Sequence, residues 1–270
     1  MKATPKVGHR PVPTPLPDLR DERDAELSPI ARDLHVQRFL QPDDVTCGPT
    51  CLSKVYDFYG YEVEIDEVAH AIERNEDGGT LAVFLAMAAL RRGFRARIYS
   101  YDLQIFDPTW AALPPDELVR KVRARFPYLD DAKRRRTAVA YVRFLEMGGE
   151  LTFVDLTPAL LKRIIDRGHP VLAGLSATYL YGMMRERTVD GRMIDDDVAG
   201  EPTGHFVVIS GYDNWGRRLT ILDPSEHVPA SSDGRLTVGA ERVINAILLG
   251  DVTYDAVLLE LWPAHERETV

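Results

Sequence analysis

The chain has 270 residues, a formal net charge of −9 and a pI near 5.3. This length is enough to bury a full core in one large domain or two small ones. The acidic balance argues against nucleic acid or an anionic membrane surface as a partner, and leaves cationic or neutral substrates open. Two cysteines four residues apart do not form the framework of a disulfide-rich secreted protein.

Residues 1–33 are predicted to form a proline-rich N-terminal arm. Five prolines stand between Pro5 and Pro17 and a charged stretch follows, so the segment holds too little apolar surface to offset the entropy of ordering. The N-terminus lacks the apolar centre of a signal peptide, and the longest apolar run, residues 81–90, is about half of what a membrane span needs. The expected location is the cytoplasm, without a membrane partner.

Residues 41–52, Q-P-D-D-V-T-C-G-P-T-C-L, are the most informative stretch. Thr46 or an aspartate before it can cap a helix, Pro49 suits the first turn, and Gly60 ends the run. Cys47 would then lie at a helix N-terminus, where unpaired N–H groups and the helix dipole favour a thiolate over a thiol. Such a thiolate is a nucleophile at neutral pH.

Alternating apolar and polar residues over 34–40 predict a short strand that leads into Gln41. If the intervening loop folds back, the Gln41 side-chain amide and the backbone N–H of Cys47 together would donate to an oxyanion on an attacked carbonyl. Gln41 is therefore a candidate oxyanion donor.

Helices are predicted to dominate the first part of the chain, followed by an insertion over about 102–150. The pattern predicts helices at 66–72 and 81–92 and a strand at 94–101. Two further helices within the insertion are predicted at 114–126 and 130–147.

Strands are predicted to dominate the second part, after a helix at 157–167. They are expected at 150–156, 169–175, 205–212, 218–222 and 256–262, with a helix near 241–249. The polar stretch 179–203 is predicted to be a long loop, either a lid over the active site or a plain mobile loop. The fold class is therefore α+β, with an antiparallel sheet in the second lobe.

His205 begins one of these apolar strands, and Asp223 follows the next one. If the two strands are neighbours, the carboxylate falls near the imidazole and can fix its tautomer, which would complete a Cys-His-Asp arrangement with Cys47. Asp213 is the main rival as the orienting carboxylate, and His227 is a weaker candidate base.

These motifs resemble a known family, the papain-like bacteriocin-processing (double-glycine leader) peptidases, family thirty-nine of the cysteine peptidases. The residues that carry the resemblance are Gln41, Cys47-Gly48-Pro49, Gly204-His205-Phe206 and Asp223-Pro224. The resemblance implies a papain-like domain over 34–270, with a helical first lobe that holds the nucleophile helix. The roles it implies are nucleophile for Cys47, base for His205, orienting residue for Asp223 and oxyanion donor for Gln41.

Other chemistries have weaker support in the sequence. A zinc site of Cys47, Cys51 and His205 would have the wrong spacing and an incomplete ligand set, so no metal is expected, and Cys51 is expected in the core. No phosphate-binding glycine motif and no G-x-S-x-G elbow occurs, so neither a nucleotide cofactor nor a serine hydrolase is predicted.

The predicted function is a cysteine peptidase or amide hydrolase that acts on a peptide or protein substrate. An acyltransferase or peptide ligase would use the same residues through the same thioester. The non-enzymatic alternative is a catalytically inactive module that binds peptides.

Overall fold

The computed structural model describes residues 30–74, 78–189, 192–229, 231–250 and 256–265. Residues 1–29, most of the predicted arm, lie outside the described residues. The α-helices are α1 (Cys47–Phe58), α2 (Ile65–His70), α3 (Ala82–Arg91), α4 (Pro115–Arg125), α5 (Ala132–Glu146), α6 (Pro158–Asp166), α7 (Ala177–Tyr181) and α8 (Ala240–Leu248). The strands are β1 (Arg32–Asp33), β2 (Phe94–Ser100), β3 (Glu150–Thr152), β4 (Val171–Ser176), β5 (Glu186–Val189), β6 (Arg192–Asp195), β7 (Gly204–Asp213), β8 (Arg218–Leu222), β9 (Arg235–Gly239) and β10 (Val257–Pro263).

The main sheet has the strand order β3-β2-β10-β4-β7-β8-β9, and β1 joins it by pairing with β7. Its pairs are antiparallel except β2 with β3, which is parallel. The α+β prediction is confirmed: helices α1 to α3 precede most strands of the sheet. The antiparallel sheet predicted for the second lobe is present as β4, β7, β8, β9 and β10, and it extends through β2 to the parallel strand β3.

Two hydrophobic cores lie on opposite faces of this sheet, as β7 shows. Phe206 and Val208 belong to the core that also holds side chains of α1, α3, α4 and α5, whereas Val207 and Ile209 belong to the core with α6 and α8. Successive strand residues point to opposite faces, so one strand serves both cores. Helix α1 therefore packs on one face of the strand that begins with Gly204-His205.

The strand predicted for residues 34–40 is wrong. His35 has φ 52°, a left-handed conformation that interrupts an extended strand. The chain then runs without regular structure to the turn after β8, where the Gln41 N–H donates to the Pro224 carbonyl at 2.9 Å. This irregular segment still delivers Gln41 to the neighbourhood of the second lobe.

The helices of the predicted insertion, α4 and α5, begin and end within two residues of their predicted bounds. The Asp131 carboxylate caps α5 by accepting from the Lys133 and Arg134 N–H groups at 2.6 and 3.1 Å. Leu118 and Val122 of α4 are buried in the first core. That this segment is an insertion within one peptidase domain stays a prediction.

The loop predicted over residues 179–203 is also wrong, because this segment contains the end of α7 and the hairpin β5–β6. The Glu186 and Glu201 backbones exchange hydrogen bonds of 3.0 and 2.8 Å at the base of the hairpin. Both strands are largely exposed and β6 is exposed along its whole length, so no apolar alternation marks them in the sequence. Within the described part of the chain, no helix is both long and apolar enough to cross a membrane.

Candidate active site

Cys47 is the first residue of α1 and is partly exposed, whereas the nine residues after it are buried. Its backbone N–H has no acceptor within the helix, as for every residue of a first helical turn. Thr46 is the N-cap residue, but its hydroxyl donates to the Asp43 carbonyl at 3.3 Å and does not cap the helix. The helix start is thus as predicted, without the predicted side-chain cap.

Gly48 explains how closely α1 approaches β7. A Cβ atom at this position would lie 2.8 Å from Cγ2 of Thr80 and 3.3 Å from the Phe206 ring. Contacts this short would push the helix away from the strand. The glycine therefore lets Cys47 and the first residues of β7 come together.

His205 connects the nucleophile to a carboxylate. Its side chain is 10% exposed, is hydrogen-bonded to Cys47, and donates through Nε2 to Oδ1 of Asp223 at 3.0 Å. Burial alone would lower the pKa of this imidazole, but the charge of Asp223 and then that of Cys47 raise it to about 10. With Nε2 engaged by Asp223, Nδ1 is the nitrogen left for Cys47.

Asp223 directly follows β8 and is 1% exposed. Besides His205, its carboxylate accepts hydrogen bonds from the Ser225 N–H at 2.7 Å and from the Tyr181 hydroxyl. Burial would raise its pKa, but the charge and hydrogen bond of His205, together with these other donors, hold it well below its usual range. The structure thus brings Cys47, His205 and Asp223 together in one hydrogen-bonded row.

Gln41 lies on the loop that leads into α1 and Cys47. Its Nε2 donates to the Asp43 carbonyl at 2.8 Å, while Oε1 is buried without a partner among the described residues. The Asp43 carbonyl therefore fixes which end of the amide is the donor, and the second N–H of Nε2 remains for another acceptor.

The rival candidates lie elsewhere. Asp213 is at the opposite end of β7, eight residues from His205, which is roughly 26 Å along a strand. Cys51 is fully buried, its thiol donates to the Phe206 carbonyl at 3.3 Å, and burial raises its pKa well above the usual value. His227 is exposed two residues beyond Ser225.

Among the described residues, no group of three or more His, Cys, Asp or Glu side chains is placed to hold a metal ion.

Three residues that contact the triad were missed by sequence reasoning. Tyr181 donates to Asp223, and the Ser225 hydroxyl lies 3.4 Å from Nε2 of His205. Arg38 donates through Nε to the Asp223 carbonyl at 3.1 Å and also bonds the Ser225 carbonyl, so it holds the turn after β8. None had a local signal, because each contact joins segments more than 15 residues apart.

Lys54 is fully buried below this site on α1, and its Nζ has no hydrogen-bond partner among the described residues. The nearest aromatic contact is the Phe39 ring, 5.9 Å from Nζ to the centroid. Burial lowers the pKa of Lys54 to about 8, with Cys51 and Asp223 opposing the shift and Arg38 adding to it. A buried, unpaired amine is costly, so its presence under the site has consequences for stability.

Two family models match separate parts of the chain. The Peptidase C39 family matches residues 35–115, and the Peptidase_C39 like family matches residues 137–238. The first match holds Gln41 and Cys47, and the second holds His205 and Asp223. These matches support a cysteine peptidase. The chain resembles the C39 peptidases, the bacteriocin-processing family, in both of its halves.

Solved structures of low sequence identity are similar to the chain as well. The peptidase domain of Streptococcus ComA, a bi-functional ABC transporter involved in a quorum-sensing pathway, is 17% identical with a TM-score of 0.41, over 85% of this chain and 99% of that one. Xylellain, a cysteine protease from Xylella fastidiosa, is 15% identical with a TM-score of 0.42, over 87% of this chain and 86% of that one. No protein of curated function matches the chain. Identities this low do not transfer a substrate from one protein to another.

Proposed function

We propose that this cysteine peptidase hydrolyses peptide bonds with a Cys47-His205-Asp223 triad and with Gln41 as an oxyanion donor. One observation carries the proposal: the buried imidazole of His205 is hydrogen-bonded to the thiol-bearing residue on one side and to a buried carboxylate on the other. A nucleophile, a base and an orienting group in this order form the arrangement that acyl transfer needs.

The reaction begins with attack of the Cys47 thiolate on the scissile carbonyl carbon, which forms a C–S bond and a tetrahedral oxyanion. The imidazolium of His205 gives its proton to the leaving nitrogen as the C–N bond breaks, and a thioester remains. His205 then takes a proton from water, whose oxygen attacks the thioester. Breakage of the C–S bond returns the sulfur and releases the acid.

Two groups are the proposed donors to the oxyanion. The Cys47 backbone N–H is free of intrahelical bonds, and the Gln41 amide keeps one N–H beyond the one held by Asp43. Donors fixed before the reaction stabilise the developing charge without reorganisation, and each is typically worth on the order of 100-fold in rate.

An unbiased peptide library, digested by wild-type protein and by Cys47→Ala and analysed by mass spectrometry, tests the proposal. We expect cleavage by the wild type and none by Cys47→Ala, while Cys51→Ala, the matched control at the buried second cysteine, still cleaves. Cleavage that persists in Cys47→Ala would exclude the triad. Products that carry the added amine in place of water would show that the thioester is resolved by acyl transfer and not by hydrolysis.

A further inference from the structure

Both carboxylate oxygens of Asp223 have hydrogen-bond partners. Oδ1 accepts from Nε2 of His205 at 3.0 Å and from the Ser225 N–H at 2.7 Å, whereas Oδ2 accepts from the Tyr181 hydroxyl. Asp223 is 1% exposed, so bulk water has no access to replace a lost donor. The hydroxyl of Tyr181 is therefore the group that fixes the second oxygen.

Tyr181 is held in place from the α8 side. It is the last residue of α7, and Gly182 after it has φ 68°, the left-handed conformation that lets the chain turn away toward the hairpin. Arg242 of α8 donates to the carbonyls of Tyr179 and Leu180, both at 2.7 Å. The last turn of α7 is thus attached to α8.

The same short helix is attached to the segment that leads into β7. The Ala177 N–H donates to the Thr203 carbonyl at 2.9 Å, and the Thr203 N–H donates to the Thr178 hydroxyl at 3.0 Å. Thr203 lies two residues before His205 in the chain. Tyr181 and His205 therefore reach Asp223 from two segments that are bonded to each other.

A donor on Oδ2 restricts rotation of the carboxylate about its Cβ–Cγ bond. Oδ1 then stays directed at Nε2 of His205, and this bond in turn holds the ring with its other nitrogen toward Cys47. Burial, and then the charge of Asp223, raises the pKa of Tyr181 far above its usual value. The hydroxyl consequently stays protonated, and remains a donor, over the whole range in which proteins are folded.

We propose that Tyr181 is a positioning residue of the triad: its hydroxyl holds the Asp223 carboxylate in the orientation that aligns His205 with Cys47. This inference rests on the proposed function, because it assigns a role to Tyr181 only through the triad. It gives a role in the proposed site to the last residue of α7 alone.

Tyr179 provides a matched control on the same helix. Its ring lies 5.2 Å from the Arg242 guanidinium, and its hydroxyl accepts from Nδ2 of Asn245 at 3.5 Å, away from the triad. Tyr179→Phe and Tyr181→Phe each remove one hydroxyl from α7, but only the second removes a bond to Asp223.

The experiment measures the rate at which iodoacetamide alkylates Cys47, followed peptide by peptide so that Cys51 is scored separately, across the pH range from about 5 to about 10. We expect wild type and Tyr179→Phe to react quickly at pH 6, and Tyr181→Phe to react roughly ten-fold more slowly there. Above about pH 9 the three rates should converge, because a thiolate then forms without help from the imidazole. A merely structural defect would not vanish at high pH.

Superimposed profiles for the two variants would overturn the role of Tyr181 while leaving the triad intact. Slow alkylation of wild-type Cys47 at pH 6 would instead contradict the proposed function itself. If thermal unfolding shows that Tyr181→Phe is destabilised, the effect of Tyr181→Phe on the alkylation rate is measured again in an Asp223→Ala background. There, Tyr181→Phe should cause no further loss of rate if it acts through Asp223, and a further ten-fold loss would exclude the proposal.

Discussion

Oδ1 of Asp223 lies 3.0 Å from Nε2 of His205, and this bond joins the end of β8 to the start of β7. The two residues are 18 positions apart in sequence and are adjacent because their strands pair. The carboxylate is buried, so its charge acts on the imidazole with little screening by water. The protonation of His205 therefore depends on Asp223.

Replacing Asp223 by Asn keeps the shape of the side chain and removes this charge. The pKa of His205, raised to about 10 in the native protein, should fall toward the ordinary value of about 6.5. Since the imidazolium is the proton donor to the leaving group, the alkaline limb of kcat/KM should move to lower pH. A pH–rate profile of Asp223→Asn with the same limb as wild type would contradict this coupling.

Gln41→Ala should lower kcat on the order of 100-fold, because one oxyanion donor is lost. KM should change little, since the amide contacts the oxygen mainly after it becomes charged. Steady-state kinetics with a cleaved library peptide measures both constants. A rise in KM with unchanged kcat would mean that Gln41 binds substrate and does not stabilise the oxyanion.

Gly48→Ala should destabilise the protein by about 1–3 kcal/mol, because the new methyl group would meet Thr80 and Phe206. Activity should fall as well, since the start of α1 would move away from β7. Gly239→Ala is the matched control: a Cβ there has no heavy atom within 4 Å, so only the exchange of the N-cap glycine of α8 acts, and the loss of stability should be smaller than for Gly48→Ala. Equal unfolding midpoints for the two variants would contradict the close approach at Gly48.

Lys54→Met should stabilise the folded chain at pH 7. The pKa of Lys54 is lowered from 10.5 to about 8 by burial, so between these two pH values the unfolded chain binds more protons and wild-type stability rises with pH. Below pH 8 the folded chain bears the whole cost of burying the charged Lys54 ammonium. Removing this cost should raise the free energy of unfolding by at most about 3 kcal/mol.

Denaturant unfolding at pH 7 and at pH 10.5 measures this effect. The advantage of Lys54→Met should be largest at pH 7 and should disappear at the higher pH. Lys121→Met, at an exposed lysine, serves as the matched surface control. A Lys54→Met variant that is less stable at both pH values would show that the ammonium has a stabilising partner.

Cys47, His205 and Asp223 could be placed at the ends of particular elements from the sequence, because each lies beside a local signal. Cys47 stands where helix-capping residues, Pro49 and an apolar run define a helix start. His205 and Asp223 stand at the ends of two apolar runs joined by a short turn, so their strands were expected to pair. Local patterns of this kind fix the helix and the strands together with the residues at their ends.

The remainder of the site depends on contacts that no local pattern encodes. Residues 34–40 alternate like a strand, but His35 takes a left-handed conformation and the segment binds the turn after β8. Tyr181 falls in a stretch whose hairpin is exposed on both faces, so the sequence resembles a loop there. Arg38 donates to backbone carbonyls. Every residue has such a carbonyl, so the sequence does not show which ones Arg38 binds.

The central claim is that Cys47 and His205 share a proton in the field of Asp223. Nitrogen NMR of the His205 imidazole, titrated in wild type and in Cys47→Ala, tests this most directly. We expect both ring nitrogens to stay protonated through pH 8 in the wild type, with titration near pH 10, and a lower titration midpoint in Cys47→Ala. Titration of the wild-type ring near the ordinary value of about 6.5, unchanged in Cys47→Ala, would contradict the triad.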